Sequence, residues 1–300
     1  MMNTYLKYSI YIIILSLILS WLLISPIYFL SNDPLNDIIN KKIIITGASL
    51  GIGKSLAIEA AKAGASEIVI ASRSKEKLKG VRNIIKSYNN QTIVHIVDVD
   101  LSTAESSKLL IDKSIEMMNS IDYLILNHIT TSHYGTWLED NQKEEDFISE
   151  MFHINTFSYI WLATAAMDTL KKTNGKIAIV SSLASHIGIP RTSVYAATKH
   201  ALGGFFNSLR LELIFQKIDV SITICSIGAT DTEGASVVKD KLNSNLVQFD
   251  PPEYAAKAIL RGTASKKREI YHPHHLVFPM IIIAHYFPML SEKILLSSLV

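Results

Sequence analysis

A single cysteine, Cys225, stands in the whole chain, so no internal disulfide can staple the fold. It lies in an apolar run and reads as a small core residue rather than a reactive thiol. Surplus charge is equally scarce. Against 29 basic residues stand 27 acidic ones, a net of +2 with no basic block, which argues against nucleic acid as a partner. No repeat or low-complexity linker divides the sequence. Three histidines, His272, His274 and His275, sit close together without acids or cysteine beside them, so no metal site is expected there. What the chain does have is apolar content: 48% of 300 residues, enough for one substantial core.

Charge is also missing from Tyr8 to Ser31, where Ile10 to Ile24 is almost wholly aliphatic. A membrane helix needs about 20 apolar residues, so residues 1–40 are expected to be an uncleaved anchor and linker. Tyr5, Trp21 and Tyr28 suit interfacial positions, and no small-x-small cleavage site follows cleanly, which disfavours a signal peptide. Lys7 precedes the span, while Asp33 and Asp37 follow it, with Lys41 and Lys42 further on. That balance favours a cytosolic amino terminus and a lumenal domain, and the sequon Asn90-Gln91-Thr92 fits a lumenal location.

Residues 41–272 alternate short apolar runs with helical patterns. Strands are expected at Lys42–Thr46, Glu67–Ser72, Thr92–Val99, Tyr123–Asn127, Lys176–Ser181, Val220–Ser226 and Glu269–Tyr271. Helices are expected at Ile52–Ala63, Lys75–Tyr88, Ala104–Met118, Glu144–Lys171, Tyr195–Gln216 and Pro252–Ala264. Several strands are continuous Ile/Val/Leu runs, the mark of a parallel sheet buried on both faces. The expected fold is α/β: a doubly wound parallel sheet of about seven strands in a three-layer, Rossmann-like sandwich. The tail, 273–300, is apolar but broken by Pro273, Pro279 and Pro288. It is too interrupted to span a bilayer, and reads as an interface or membrane-contact segment.

The stretch Thr46-Gly47-Ala48-Ser49-Leu50-Gly51-Ile52-Gly53 falls between a strand and a helix. Gly47, Gly51 and Gly53 allow a tight turn and close approach of a pyrophosphate to a helix N-terminus, with Ser49, Leu50 and Ile52 in the same loop. After the second strand, Ser72 occupies the place where a carboxylate would hold the ribose of NAD. Arg73 and Ser74 follow, and a guanidinium there suits the 2′-phosphate of NADP(H). Asp100-Leu101 and Asn127-His128-Ile129 end the third and fourth strands, at the edge where ligands bind. His128 reads as a buried, hydrogen-bonded histidine rather than a catalytic one. Tyr195 and Lys199 are four apart, and thirteen residues after Ser182. On a helix they share a face, and a nearby ammonium is expected to lower the pKa of the phenol from about 10 toward neutrality. The combination points to a redox enzyme.

These residues resemble the short-chain dehydrogenase/reductases, through Thr46–Gly53, Asn127, Asn155, Ser182, Tyr195 and Lys199, over about 230 residues. Within that family the chain is similar to the 11β-hydroxysteroid dehydrogenase branch, in Ser72–Glu76, Leu124–Thr130 and Val180–Ala184. The resemblance implies Tyr195 as acid–base, Lys199 as its partner and ribose ligand, and Ser182 on the substrate oxygen. It implies Asn155 holding the water that links Lys199 to solvent, and Thr230, Asp231 and Thr232 near the amide of the cofactor. Gly234–Phe249 would cover the substrate. The expected activity is interconversion of a secondary alcohol and a ketone on a lipophilic substrate, using NADP(H) and no metal. A steroid is the leading substrate class, with a retinal, lipid or xenobiotic carbonyl as the alternative. A membrane-anchored homodimer of the endoplasmic reticulum is implied. A non-catalytic nucleotide-binding scaffold would not be expected to keep Asn155, Ser182, Tyr195 and Lys199 together.

Overall fold

Runs of isoleucine and valine make strands that need cover on both faces, and the computed structural model shows that cover. It describes residues 33–130, 134–137, 145–239, 241–242 and 247–299. Seven strands, β1 (Lys42–Thr46), β2 (Glu67–Ser72), β3 (Ile93–Asp98), β4 (Tyr123–Leu126), β5 (Lys176–Ser182), β6 (Ser221–Ile227) and β7 (Glu269–His272), form one sheet in the order β3-β2-β1-β4-β5-β6-β7. Every neighbouring pair is parallel. The chain winds outward from β1 to β3, then returns to β4 on the other side of β1. The carboxyl ends of β1 and β4, paired through Ile45 and Ile125, therefore flank the crevice where such sheets bind ligands.

Alternate side chains feed two cores. Ile43, Ile45, Ile68 and Ile70 pack with Leu56, Ala57 and Ala60 of α1 (Gly51–Lys62), Leu78 of α2 (Lys75–Tyr88) and Ile259. On the opposite face Ile44, Val69, Leu124 and Leu126 meet Leu110 of α3 (Ala104–Met118), Leu162 and Phe206. Each such side chain, fully withdrawn from water, contributes about 1.5–3 kcal/mol. Thr103 caps α3, its hydroxyl accepting from the Ser106 amide at 3.1 Å.

The single helix expected over Glu144–Lys171 is interrupted. Helix α4 (Glu145–Phe152) passes through a π-helical turn, His153–Phe157, into α5 (Ser158–Thr173). The apolar pattern runs unbroken through the turn and hides it; the wider turn serves Asn155 and Thr156, both buried and bonded to other segments. Helix α6 (Ser193–Phe215) carries the tyrosine–lysine pair. A short α7 (Ser236–Lys239) precedes α8 (Pro252–Ala264), which covers the first core beside α1. The tail forms α9 (His274–Tyr286) and α10 (Pro288–Ser297), broken where Pro288 follows Phe287. Among the described residues no helix is long and apolar enough to cross a membrane. The expected anchor, Ile10–Ile24, lies outside those residues.

Candidate active site

The crevice is built first from backbone. Gly47 and Gly51 have φ of 65° and 52°, in the left-handed region that favours glycine. A Cβ on Gly53 would lie 2.1 Å from the Gly47 carbonyl oxygen, so the first turn of α1 can sit against the loop only without a side chain. Leu50, the N-cap residue of α1, offers no side-chain acceptor to the first turn. Its free N–H groups, with the helix dipole, make a cradle for a pyrophosphate. Ser49 and Ile52 are half-buried in the same loop.

Asn127 braces this loop from β4. Its side-chain Nδ2 donates to the Thr46 and Gly47 carbonyl oxygens, each at 3.3 Å, and its backbone N–H donates to Thr46 Oγ1 at 3.0 Å. His128 is buried between Thr46 Oγ1 (2.8 Å) and Ser158 Oγ (2.6 Å), and burial pushes its imidazole down to about 3. It is buried and hydrogen-bonded, as expected from the sequence, and the structure adds that it is neutral at physiological pH. Ile129 is exposed, and the Thr130 amide donates to Asn155 Oδ1 at 2.9 Å.

The outer ligand positions differ in what occupies them. Arg73 is exposed at the end of β2 and has no carboxylate partner among the described residues; Ser74 begins α2. Asp100 spends a carboxylate oxygen on the Ser102 amide, 3.0 Å away, and Leu101 is buried. Beyond β6, Thr230 is buried and Thr232 comes against the glycine loop, where a Cβ on Gly51 would lie 2.9 Å from Thr232 Cγ2. The carboxylate of Asp231 pairs instead with Lys239.

At the base of the crevice lies the proton-handling group. Lys199 is 1% exposed, donates to the Val180 carbonyl oxygen at 3.1 Å, and holds its ammonium 5.7 Å from the Tyr195 ring centre and 5.3 Å from that of Tyr159. No carboxylate among the described residues balances it, and burial lowers its pKa to about 7. The expectation that Lys199 acidifies Tyr195 is corrected here. Burial holds the phenol above its ordinary value, and only hydrogen bonding from Ser182 pulls the other way. Spacing alone shows the ammonium but not the desolvation of the phenol. Ser182 also caps a short turn, accepting from the Ala184 amide at 3.2 Å, whereas neighbouring Ser181 is buried away from the phenol's partner set. Asn155 is fully buried, and its Nδ2 has no protein acceptor among the described residues.

The structure thus gathers Asn155, Ser182, Tyr195 and Lys199 on the carboxyl side of β4 and β5, beside the glycine loop. Sequence reasoning named Thr46, Thr130 and Val180 only within longer motif stretches, without their contacts, and missed Tyr159 altogether. These act across 19 to 82 residues of chain, and no local spacing signals them.

The sequence model of the family described as short chain dehydrogenase matches residues 41–243. A hydroxysteroid 11-beta-dehydrogenase 1-like protein from Gallus gallus is 37% identical over 232 residues, 77% of this chain and 78% of its own. The protein of the same description from Danio rerio is 36% identical over 257 residues, 86% of each chain. Among solved structures, an alcohol dehydrogenase from the archaeon Thermococcus sibiricus, complexed with 5-hydroxy-NADP, aligns with a TM-score of 0.67. It is 25% identical, over 77% of this chain and 95% of its own. A buried lysine facing a half-buried tyrosine beside a dinucleotide cradle, on a sheet wound this way, places the chain in the short chain dehydrogenase family, as an oxidoreductase that uses a nicotinamide cofactor and acts on CH–OH groups.

Proposed function

We propose that the protein is a membrane-anchored, NADP(H)-dependent oxidoreductase that interconverts a secondary alcohol and a ketone on a lipophilic substrate, a steroid being the leading class. The observation that carries this reading is Lys199. Lys199 is 1% exposed, faces two phenols and has no counter-ion among the described residues, so the fold keeps a charge where it costs stability, as a working group does.

The nicotinamide cofactor, when bound, supplies the hydride for reduction and takes it up in oxidation. The chain does the rest. Gly47, Gly51, Gly53 and the α1 N-terminus would hold the pyrophosphate, Lys199 the nicotinamide ribose, and Thr230 and Thr232 the amide. Ser182 Oγ donates to the substrate oxygen, aligning it with Tyr195. Tyr195 Oη would give its proton to that oxygen in the reducing direction, leaving a phenolate, and would take it back in oxidation. After reduction, Lys199 would return a proton to the phenolate, drawing on solvent through a water held by the Asn155 amide. Burial keeps the phenol protonated at neutral pH, which suits the reducing direction.

The NADP(H) assignment draws support from Arg73, exposed and unpaired among the described residues, and from Ser72 in place of a carboxylate. Residues 1–40 act as anchor, 41–272 as the catalytic domain and 273–300 as an apolar interface segment. Helices α9 and α10 expose Ile282 (39%), Met289 (75%) and Leu290 (49%), which supports contact with a second copy in a homodimer or with lipid. The charge-free stretch from Tyr8 to Ser31 supports anchoring in the endoplasmic reticulum membrane with the domain in the lumen. The test is a panel of steroid, retinoid and simple ketones with NADPH and with NADH. Turnover of steroid ketones with NADPH is expected, and Arg73→Asp should weaken NADPH by about tenfold or more while sparing NADH. Equal loss with both cofactors would remove the phosphate-reading role.

A further inference from the structure

Arg191, just before the catalytic tyrosine, and Lys241, just past α7, have no acidic partner among the described residues. Ile189-Pro190-Arg191-Thr192 forms a tight turn, closed by the Thr192 amide on the Ile189 carbonyl oxygen at 3.3 Å. Proline stands at its second position and Arg191, with φ of 65°, at its third. That is the pattern of a type II turn, whose third position calls for glycine. An arginine held there against its backbone preference needs a reason at the side chain. The Gly135 amide fixes the strained unit by donating to the Arg191 carbonyl oxygen at 3.1 Å.

The guanidinium lies over Tyr134, 5.7 Å from its ring centre. Lys241, fifty residues further along and in the segment that would cover the substrate, places its ammonium 5.7 Å from the same ring centre and donates to the Tyr134 carbonyl oxygen at 3.3 Å. Neither cation has a carboxylate within ion-pair distance among the described residues. Tyr134 itself is 4% exposed, and its buried hydroxyl lacks a hydrogen-bond partner of ordinary geometry. Two like charges flank the Tyr134 ring, and one of them, Arg191, also lines a small cavity with Trp137, Phe147, Met151 and Tyr195. The apolar wall and the catalytic phenol thus share one pocket with Arg191, and Lys241 stands behind it across the Tyr134 ring, neither cation paired with a carboxylate among the described residues.

We propose that Arg191, Lys241 and the Tyr134 hydroxyl form an anion-binding subsite, and that the natural substrate is a lipophilic ketone or alcohol bearing a carboxylate or sulfate. Resting on the oxidoreductase reading above, the subsite fixes which members of the lipophilic class are used. The apolar skeleton lies along Trp137, Phe147 and Met151, the carbonyl meets Tyr195 and Ser182, and the anion bridges the two cations.

The test compares oxocholanic acid and oxostearic acid with their uncharged methyl esters, at low and high salt. The wild-type enzyme is expected to favour at least one acid over its ester by tenfold or more in kcat/KM, less so in high salt. Arg191→Gly, which suits the turn, and Lys241→Ala should each bring that ratio toward one through KM, with turnover of the ester kept. Equal use of acid and ester by the wild type, or ratios unchanged in both variants, would overturn the subsite while leaving the oxidoreductase reading intact. Should neither compound be turned over, Trp137 fluorescence reads binding directly: quenching by the acid that Arg191→Gly abolishes supports the subsite, and quenching equal in both proteins refutes it.

Discussion

Lys199 sits in the folded protein at a pKa of about 7, against an ordinary 10.5, because burial penalises its charge. Between those values the unfolded chain holds more protons, so stability rises with pH across that window and the penalty is full below pH 7. At roughly 1.4 kcal/mol per unit, the upper bound is on the order of 4–5 kcal/mol. Urea unfolding of Lys199→Met across pH 6 to 10 should show a gain over the wild type that is largest near neutrality and fades toward pH 10. Parallel curves would mean that the lysine keeps its water. His128 gives the mirror case on the acid side. Its imidazole is held at about 3 against 6.5, so stability is lost as pH falls through that range. His128→Gln should cost about 1–3 kcal/mol at pH 7, through the broken Thr46–Ser158 bridge, yet flatten the acid limb below pH 6. An acid limb as steep as that of the wild type would assign the loss to other groups. The residue scale is also where the sequence told least: the i, i+4 spacing of Tyr195 and Lys199 was legible, but the sign of the phenol shift depends on burial that spacing does not contain.

At the scale of elements, β1, β2 and the helices 75–88, 104–118 and 252–264 follow directly from apolar periodicity and caps, because one buried stripe decides each. The π-helical turn at His153–Phe157 escaped notice, since Tyr159, Leu162 and Ala163 continue the apolar stripe past it and its cause, the Asn155–Thr130 bond, is tertiary. The glycine loop was legible as a motif, while the reason for Gly53 appears only in three dimensions. Gly53→Ala should cost about 1–3 kcal/mol and weaken cofactor binding at least tenfold, since its Cβ would meet the Gly47 oxygen at 2.1 Å. Gly80→Ala, in α2 with nothing within 4 Å, should instead stabilise by about 0.4–1 kcal/mol. Thermal unfolding and cofactor titration of both variants check the contrast; similar effects in the two would show that the loop is not close-packed.

Across the whole molecule the sheet separates two cores that share no side chain, and both serve one edge. Ile45→Ala empties one core and Leu124→Ala the other, each at about 2–5 kcal/mol. Because the layers are separate, the double variant should equal the sum within about 0.5 kcal/mol; a large coupling would indicate one continuous core instead. Fold class was readable because strand runs without alternation can be buried only between helical layers. The cation pair of Arg191 and Lys241 was not, because fifty residues separate two groups that meet only over Tyr134. The central claim is that this fold delivers the Tyr195 phenol as proton donor beside a bound nicotinamide. Its most direct measurement is turnover and NADPH affinity of Tyr195→Phe on a ketone that the wild type reduces. The expected result is a loss of kcat by a factor of about 100 or more with cofactor affinity within about twofold; turnover close to wild type would contradict the account.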